Sequence, residues 1–143
     1  MQKKIDMLFL QYMNYFEKIL GIRTKHCFTY GNFIIFVVSK EFISQAIGIG
    51  GANVKKLAFK IRRKVRIVPA PDGIEDLESF VAAVISPVRF RNIKVDVENN
   101  EKVVTIYATQ EARAMIFGRK KQRLEELENI LDDYFSIKKV KLA

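Results

Sequence analysis

The sequence predicts an α+β protein made of two copies of one unit, each packing its helices on one face of a three-stranded sheet. Three observations predict it. Two glycine turns lie 70 positions apart, at Gly48-Ile49-Gly50-Gly51 and Gly118-Arg119-Lys120-Lys121, and a shift of 70 places Val54 on Leu124, Leu57 on Leu127 and Ile61 on Leu131. Each turn follows a helical stripe and two strand-like runs, and precedes an amphipathic helix and a short alternating strand. Between the copies stands Pro69-Ala70-Pro71-Asp72-Gly73, the one clear linker, which divides the chain into units 1–70 and 71–143.

In the first unit, residues 5 to 20 put Ile5, Leu8, Phe9, Tyr12, Phe16, Ile19 and Leu20 on one helical stripe, and Gly21 is the expected stop. Residues 26–30 and 33–38 read as a hairpin with Gly31-Asn32 at the turn. The apolar run Phe33-Ile34-Ile35-Phe36-Val37-Val38 forms its buried strand. A helix over Lys40–Ile47, the glycine turn, a helix over Ala52–Arg63 and a strand around Val65 and Ile67 complete it. The second unit repeats the order. A helix over Ile74–Ile85 stops near Ser86-Pro87, and strands over 88–97 and 102–108 join at Asn99-Asn100. A helix over Gln110–Phe117 and the turn at 118–121 follow. A long helix then runs to about Tyr134, with Leu124, Leu127, Leu131 and Tyr134 on one face, and a last strand has Val140 and Leu142 facing inward.

Composition bounds the function. The chain of 143 residues carries a formal charge of +9 with a pI near 9.7, which points to a polyanionic partner. That charge is lopsided: residues 1–70 hold 13 Lys/Arg against 3 Asp/Glu, and residues 71–143 hold 12 against 13. Cys27 is the single cysteine, so no intramolecular disulfide forms and a reducing compartment is expected. Asp6, Gln11, Asn14, Glu17 and Lys18 interrupt the apolar start, and no apolar run spans a bilayer, so the expectation is a cytoplasmic protein with no membrane partner.

The chemistry concentrates at the turns. Glycine lets a phosphate approach the backbone with no Cβ in the way, and the N–H groups that open the next helix favour an anion. After the first turn, Lys55, Lys56, Lys60, Arg62, Arg63, Lys64 and Arg66 fall within twelve residues that contain no acid. Val54, Leu57, Ala58 and Ile61 take the buried face, which leaves the cations for solvent or ligand. A helix-turn-helix corner with glycine caps would explain the turn alone; the one-signed charge beside it favours nucleic acid. Phe28, Tyr30, Phe33 and Phe36 are expected in the sheet core rather than as stacking platforms. Catalysis finds no support. His26 and Cys27 are strand neighbours on opposite faces, the first turn lacks the Lys-Ser/Thr of a nucleotide-binding loop, and Asn53 stands where a dinucleotide motif has its third glycine. No metal or cofactor is expected.

Ile47-Gly48-Ile49-Gly50-Gly51-Ala52-Asn53-Val54 resembles the Ile-Gly-x-x-Gly-x-x-Ile/Val signature of KH domains. The helix and strand ahead of that core resemble the prokaryotic, type II, variant, and two such units in tandem resemble the archaeal NusA-like transcription factors. The resemblance covers nearly the whole chain and is stronger for the first unit. It implies that Gly48, Ile49, Gly50 and Gly51 contact the sugar-phosphate backbone of single-stranded RNA, with Asn53, Lys55 and Lys56 at the start of the following helix and residues near Phe36 and Val38 on the groove floor. It implies a second site at Gly118, Arg119, Lys120, Lys121 and Arg123, degenerate because Lys121 replaces the final glycine. The acidic stretch Glu125-Glu126-Glu128 would repel a phosphate path along that helix. The implied role is transcription termination or elongation control on the nascent transcript with RNA polymerase, as a monomer. An rRNA-binding or ribosome-assembly protein and a protein-interaction adaptor on the KH fold are the alternatives.

Overall fold

The structure, a computed structural model, describes residues 7–143. It divides into two units, at Ala70/Pro71. The expectations for Ile5 and the preceding residues lie outside the described residues.

In the first unit, helix α1 (Met7–Leu20) precedes a hairpin of β1 (His26–Tyr30) and β2 (Phe33–Val38). Helices α2 (Ile43–Ile47) and α3 (Ala52–Ile61) follow, then β3 (Lys64–Pro69). The sheet order is β1-β2-β3, with β1 antiparallel and β3 parallel to the central strand. A parallel neighbour needs a long crossover, and the α2–turn–α3 segment supplies it. Tyr12 and Phe16 of α1 and Leu57 and Ile61 of α3 pack with Ile34, Phe36 and Val38 of β2, and the rings of Phe16 and Phe36 lie 4.9 Å apart. Leu57 and Ala46 are fully buried and pin α3 and α2 to the sheet. Burying one such leucine contributes about 2 kcal/mol.

Several expectations shift here. In α1, Leu8 and Ile19 are exposed, and Met13 and Tyr15 join the partly buried face instead. The segment from Lys40 begins as a tight 3₁₀ turn over Lys40–Phe42 before α2. Helix α3 ends at Ile61, because Arg62 takes a left-handed conformation (φ 62°) that stops it. Pro69 belongs to β3, paired with Val38, so the connection is shorter than the sequence implied. Gly21 ends α1 as expected, with φ 68° and its N–H donating to the Glu17 carbonyl at 2.9 Å.

The second unit has α4 (Leu77–Ile85), β4 (Asn92–Glu98), β5 (Glu101–Tyr107), α5 (Gln110–Phe117), α6 (Gln122–Phe135) and β6 (Ile137–Leu142). Its sheet repeats the first: β4-β5-β6, antiparallel then parallel. Asn99 and Asn100, at φ 52° and 65°, make the two-residue hairpin turn that asparagine tolerates. Thr109 caps α5 by accepting the Ala112 N–H at 3.2 Å. Phe80 of α4 meets the rings of Tyr134 and Phe135 on α6. Leu124, Leu127, Ile130, Leu131 and Phe135 are the buried residues of α6.

Two strand expectations change. Residues 88–91 are not strand: β4 begins at Asn92, and just before it the Arg91 N–H donates to the Tyr107 carbonyl at 2.7 Å. Beside β6 the register slips between Lys102 and Val103, so Ile137 and Val140, three apart, are the buried pair. The Glu128 carboxylate accepts the Val140 N–H at 3.0 Å, which fixes the bulged strand to α6.

Candidate nucleic-acid interface

Each unit places its turn between two helices in the crossover that joins parallel strands, and the two turns have the same backbone. Gly48 (φ 79°, ψ 170°) matches Gly118 (φ 76°, ψ 176°). Gly50 (61°, 22°) matches Lys120 (54°, 32°), and Gly51 (74°, 21°) matches Lys121 (67°, 12°). The hydrogen bonds match too. Gly48 N–H donates to Ser44 O at 3.0 Å and Gly51 N–H to Gly48 O at 3.2 Å; the counterparts are Gly118 to Ala114 at 3.0 Å and Lys121 to Gly118 at 3.4 Å.

The leading glycine is required in both turns, because its φ and ψ lie in a region that is essentially glycine's alone. A Cβ there would also collide: at Gly48 it would meet the Asn53 side chain at 3.0 Å, and at Gly118 the Arg123 Cγ at 2.5 Å and backbone N at 2.9 Å. The other positions need only a left-handed backbone, and nothing lies within 4 Å of a Cβ built at Gly50 or Gly51. Lysine therefore fits at 120 and 121, at a backbone cost of about 1–2 kcal/mol each. The replaced glycine in the second turn thus leaves its shape intact and adds side-chain charge.

Neither α3 nor α6 receives a hydrogen bond from a capping side chain at its start, unlike α5 with Thr109. The first N–H of each is taken up by the turn itself, Ala52 donating to the Ile49 carbonyl and Gln122 to the Arg119 carbonyl, and the helix dipole behind them favours an anion beside the turn. Ile49 forms the tip of the first turn at 97% exposure. Lys55 and Lys56 are exposed on α3, as are Arg119, Lys120 and Lys121 on the second turn. Asn53 Nδ2 donates to the Gln45 carbonyl at 3.1 Å, so this side chain braces the α2–α3 corner. Arg123 pairs with Glu126 at 3.1 Å and packs beneath Gly118.

The basic cluster separates into two groups. Lys60 lies over the Tyr15 ring at 4.9 Å, and Phe33 carries Arg66 at 3.9 Å and Lys64 at 5.8 Å. Burial draws the Arg66 pKa down, with a smaller opposing pull from Tyr30. Lys55, Lys56, Arg62 and Arg63 are the remainder; they are exposed, as are Lys60 and Lys64, and only Arg66 is half-buried. The groove-floor expectation fails: Phe36 and Val38 are fully buried under the helices and offer no surface to a base. Sequence reasoning also passed over Phe59, which stands 87% exposed on α3. His26 and Cys27 do face opposite ways, Cys27 into the core and His26 beside the Phe28 ring at 5.8 Å. Among the described residues no group of three or more His, Cys, Asp or Glu could hold a metal ion, and no helix is long and apolar enough to cross a membrane.

Among the described residues, two three-stranded sheets, six α-helices and a repeated glycine-led turn define an α+β protein consistent with two KH-like domains. No protein-family model matches the chain. Curated relatives named "Probable transcription termination protein NusA" do. One from Methanocaldococcus jannaschii is 28% identical over 130 residues, covering 91% of this chain and 69% of its own. One from Methanococcus vannielii is 26% identical over 143 residues, covering 100% and 81%. One from Halococcus morrhuae is 23% identical over 134 residues, covering 94% of each. The crystal structure of APE1850 is similar at a TM-score of 0.69 and 26% identity, covering 97% of this chain and 100% of that one. Over most of its length the chain is similar to these archaeal NusA proteins.

Proposed function

We propose that the chain binds single-stranded RNA through two tandem type II KH domains, residues 1–70 and 71–143, and acts without enzymatic activity in transcription termination or elongation control. Its partners in this reading are the nascent transcript and RNA polymerase, and it works as a cytoplasmic monomer. One observation carries it: the same turn backbone occurs in both units, ahead of a helix with no capping side chain, with cations beside it. The helix-strand-strand-helix-turn-helix-strand order of each unit supports the type II assignment. The transcription role rests on the named relatives.

The RNA-binding residues are Gly48, Ile49, Gly50, Gly51, Lys55 and Lys56 in the first unit and Gly118, Arg119, Lys120 and Lys121 in the second. Asn53 and Arg123 hold the corners behind them. The second unit binds as well as the first in kind, because lysine preserves the turn and supplies charge. The acidic side chains Glu125 and Glu126 on α6 favour, for that helix alone, a protein rather than an RNA contact.

The test is RNA affinity against salt for the intact chain and for Ile49→Asp/Gly50→Asp. Both side chains would enter open space, so the core is untouched. Each added carboxylate opposes a phosphate by about 1 kcal/mol in water, so the pair should weaken binding roughly 30-fold. A variant with native circular dichroism and unchanged affinity would show the turn to be a structural corner. Co-purification with polymerase supports the transcription role, and recovery with ribosomal particles would replace it.

A further inference from the structure

Phe59 is the most exposed aromatic side chain among the described residues and stands outside the glycine turn, on the outer face of α3. The helix buries Leu57 and Ile61, with Val54 and Ala58 beside them. At 100° per residue Phe59 points directly away from that face. Lys55 and Lys56, four and three residues before it, share its side of the helix. Arg62 and Arg63, three and four residues after it, are also exposed. A solvated helix surface rarely carries a phenylalanine among four cations with no acid, and the core does not need this ring.

The second unit supplies an internal comparison. Shifted by 70, Lys55, Lys56 and Phe59 become Glu125, Glu126 and Asn129. The fold is the same and Leu57 and Leu127 are both fully buried, yet the outer face reverses in sign and loses its ring. The aromatic and its cations are therefore a property of the first unit and not a demand of the architecture.

We propose that Phe59, with Lys55, Lys56, Arg62 and Arg63, forms a second single-stranded RNA contact that stacks one base beyond the nucleotides held at the Gly48–Gly51 turn. This rests on the RNA-binding reading above. Eight residues of helix set Phe59 about 12 Å from Gly51 along the axis of α3, within reach of a strand that leaves the turn along that helix. Every base has a face to stack, so the contact adds affinity with little sequence preference, while the cations hold the flanking phosphates.

The experiment compares the intact chain with Phe59→Ala, Phe59→Trp and Ile49→Asp/Gly50→Asp on single-stranded RNAs of four and eight nucleotides, and on an eight-nucleotide strand whose outer four positions are abasic. Phe59→Ala should lose about 5- to 150-fold in affinity for the eight-mer, the range of a stacked base, and little for the four-mer or the abasic strand. Phe59→Trp should retain the eight-mer affinity. If the turn variant loses binding while Phe59→Ala matches the parent on every RNA, this contact is refuted and the turn site stands; a ring that serves an acidic protein partner would give that outcome. If the parent itself shows no salt-dependent RNA binding, both readings fall.

Discussion

Replacing Lys120 and Lys121 together by glycine should make the second unit more stable and the protein a poorer RNA binder. Both lysines hold a left-handed backbone, at φ 54° and 67°. That conformation costs a side-chain-bearing residue about 1–2 kcal/mol, so the pair stores about 2–4 kcal/mol. Glycine returns about 0.5–1 kcal/mol per site through its freer unfolded chain. The net gain is about 1–2 kcal/mol. Amide exchange at Leu127, Ile130 and Leu131, whose side chains are buried on α6, should slow by about 5- to 30-fold. Removing two phosphate-binding cations should meanwhile flatten the log–log salt dependence of RNA affinity by about 1.4, at about 0.7 per phosphate on a single strand. Lys120→Ala/Lys121→Ala separates the two effects: it discards the charges and keeps the strain, so the slope falls and exchange does not slow. Exchange that stays unchanged in the glycine variant would refute the stored strain. A salt slope that stays unchanged would refute phosphate contact at the second turn.

Two further outcomes are expected. Gly118→Ala should destabilise its unit by about 2–3 kcal/mol, since it adds a forbidden backbone conformation to a clash with the Arg123 backbone; Gly48→Ala should cost less, because its nearest neighbour is the tip of the Asn53 side chain, and thermal unfolding will order the two. Glu125→Lys, exposed one turn beyond Lys121, should raise RNA affinity and steepen its salt slope, read by the same titration at two salt concentrations.

Legibility in the sequence followed the range of the interaction. Local signals were sufficient for the Gly31-Asn32 and Asn99-Asn100 hairpins, for α5 between Thr109 and Gly118, and for the 70-residue repeat, because turn and cap chemistry is written within a few residues. What depended on distant partners was not visible. Lys60, Lys64 and Arg66 lie over rings contributed by α1 and β2, pairings that a charge count does not reveal. The slip beside Val103 moved the buried positions of β6 from alternation to a spacing of three. At the candidate site, the glycine spacing marked the first turn, but Lys120 and Lys121 disguised an identical backbone. Phe59 carried a readable signal: it falls off the Val54-Leu57-Ala58-Ile61 stripe, and an aromatic on the charged side of an amphipathic helix is an exception worth locating.

The reversal of sign between the outer faces of α3 and α6 has a kinetic consequence. Long-range fields set how fast a charged ligand arrives, whereas short contacts set how long it stays. Residues 1–70 hold ten more cations than anions and residues 71–143 one fewer, so on the proposed reading an RNA strand should be drawn first to the first unit. The three cations of the second turn act only over a short range, against the carboxylates behind them. On the proposed RNA-binding reading, charge substitutions on α3 should change the association rate and its loss with salt more than charge substitutions at Arg119–Lys121 do.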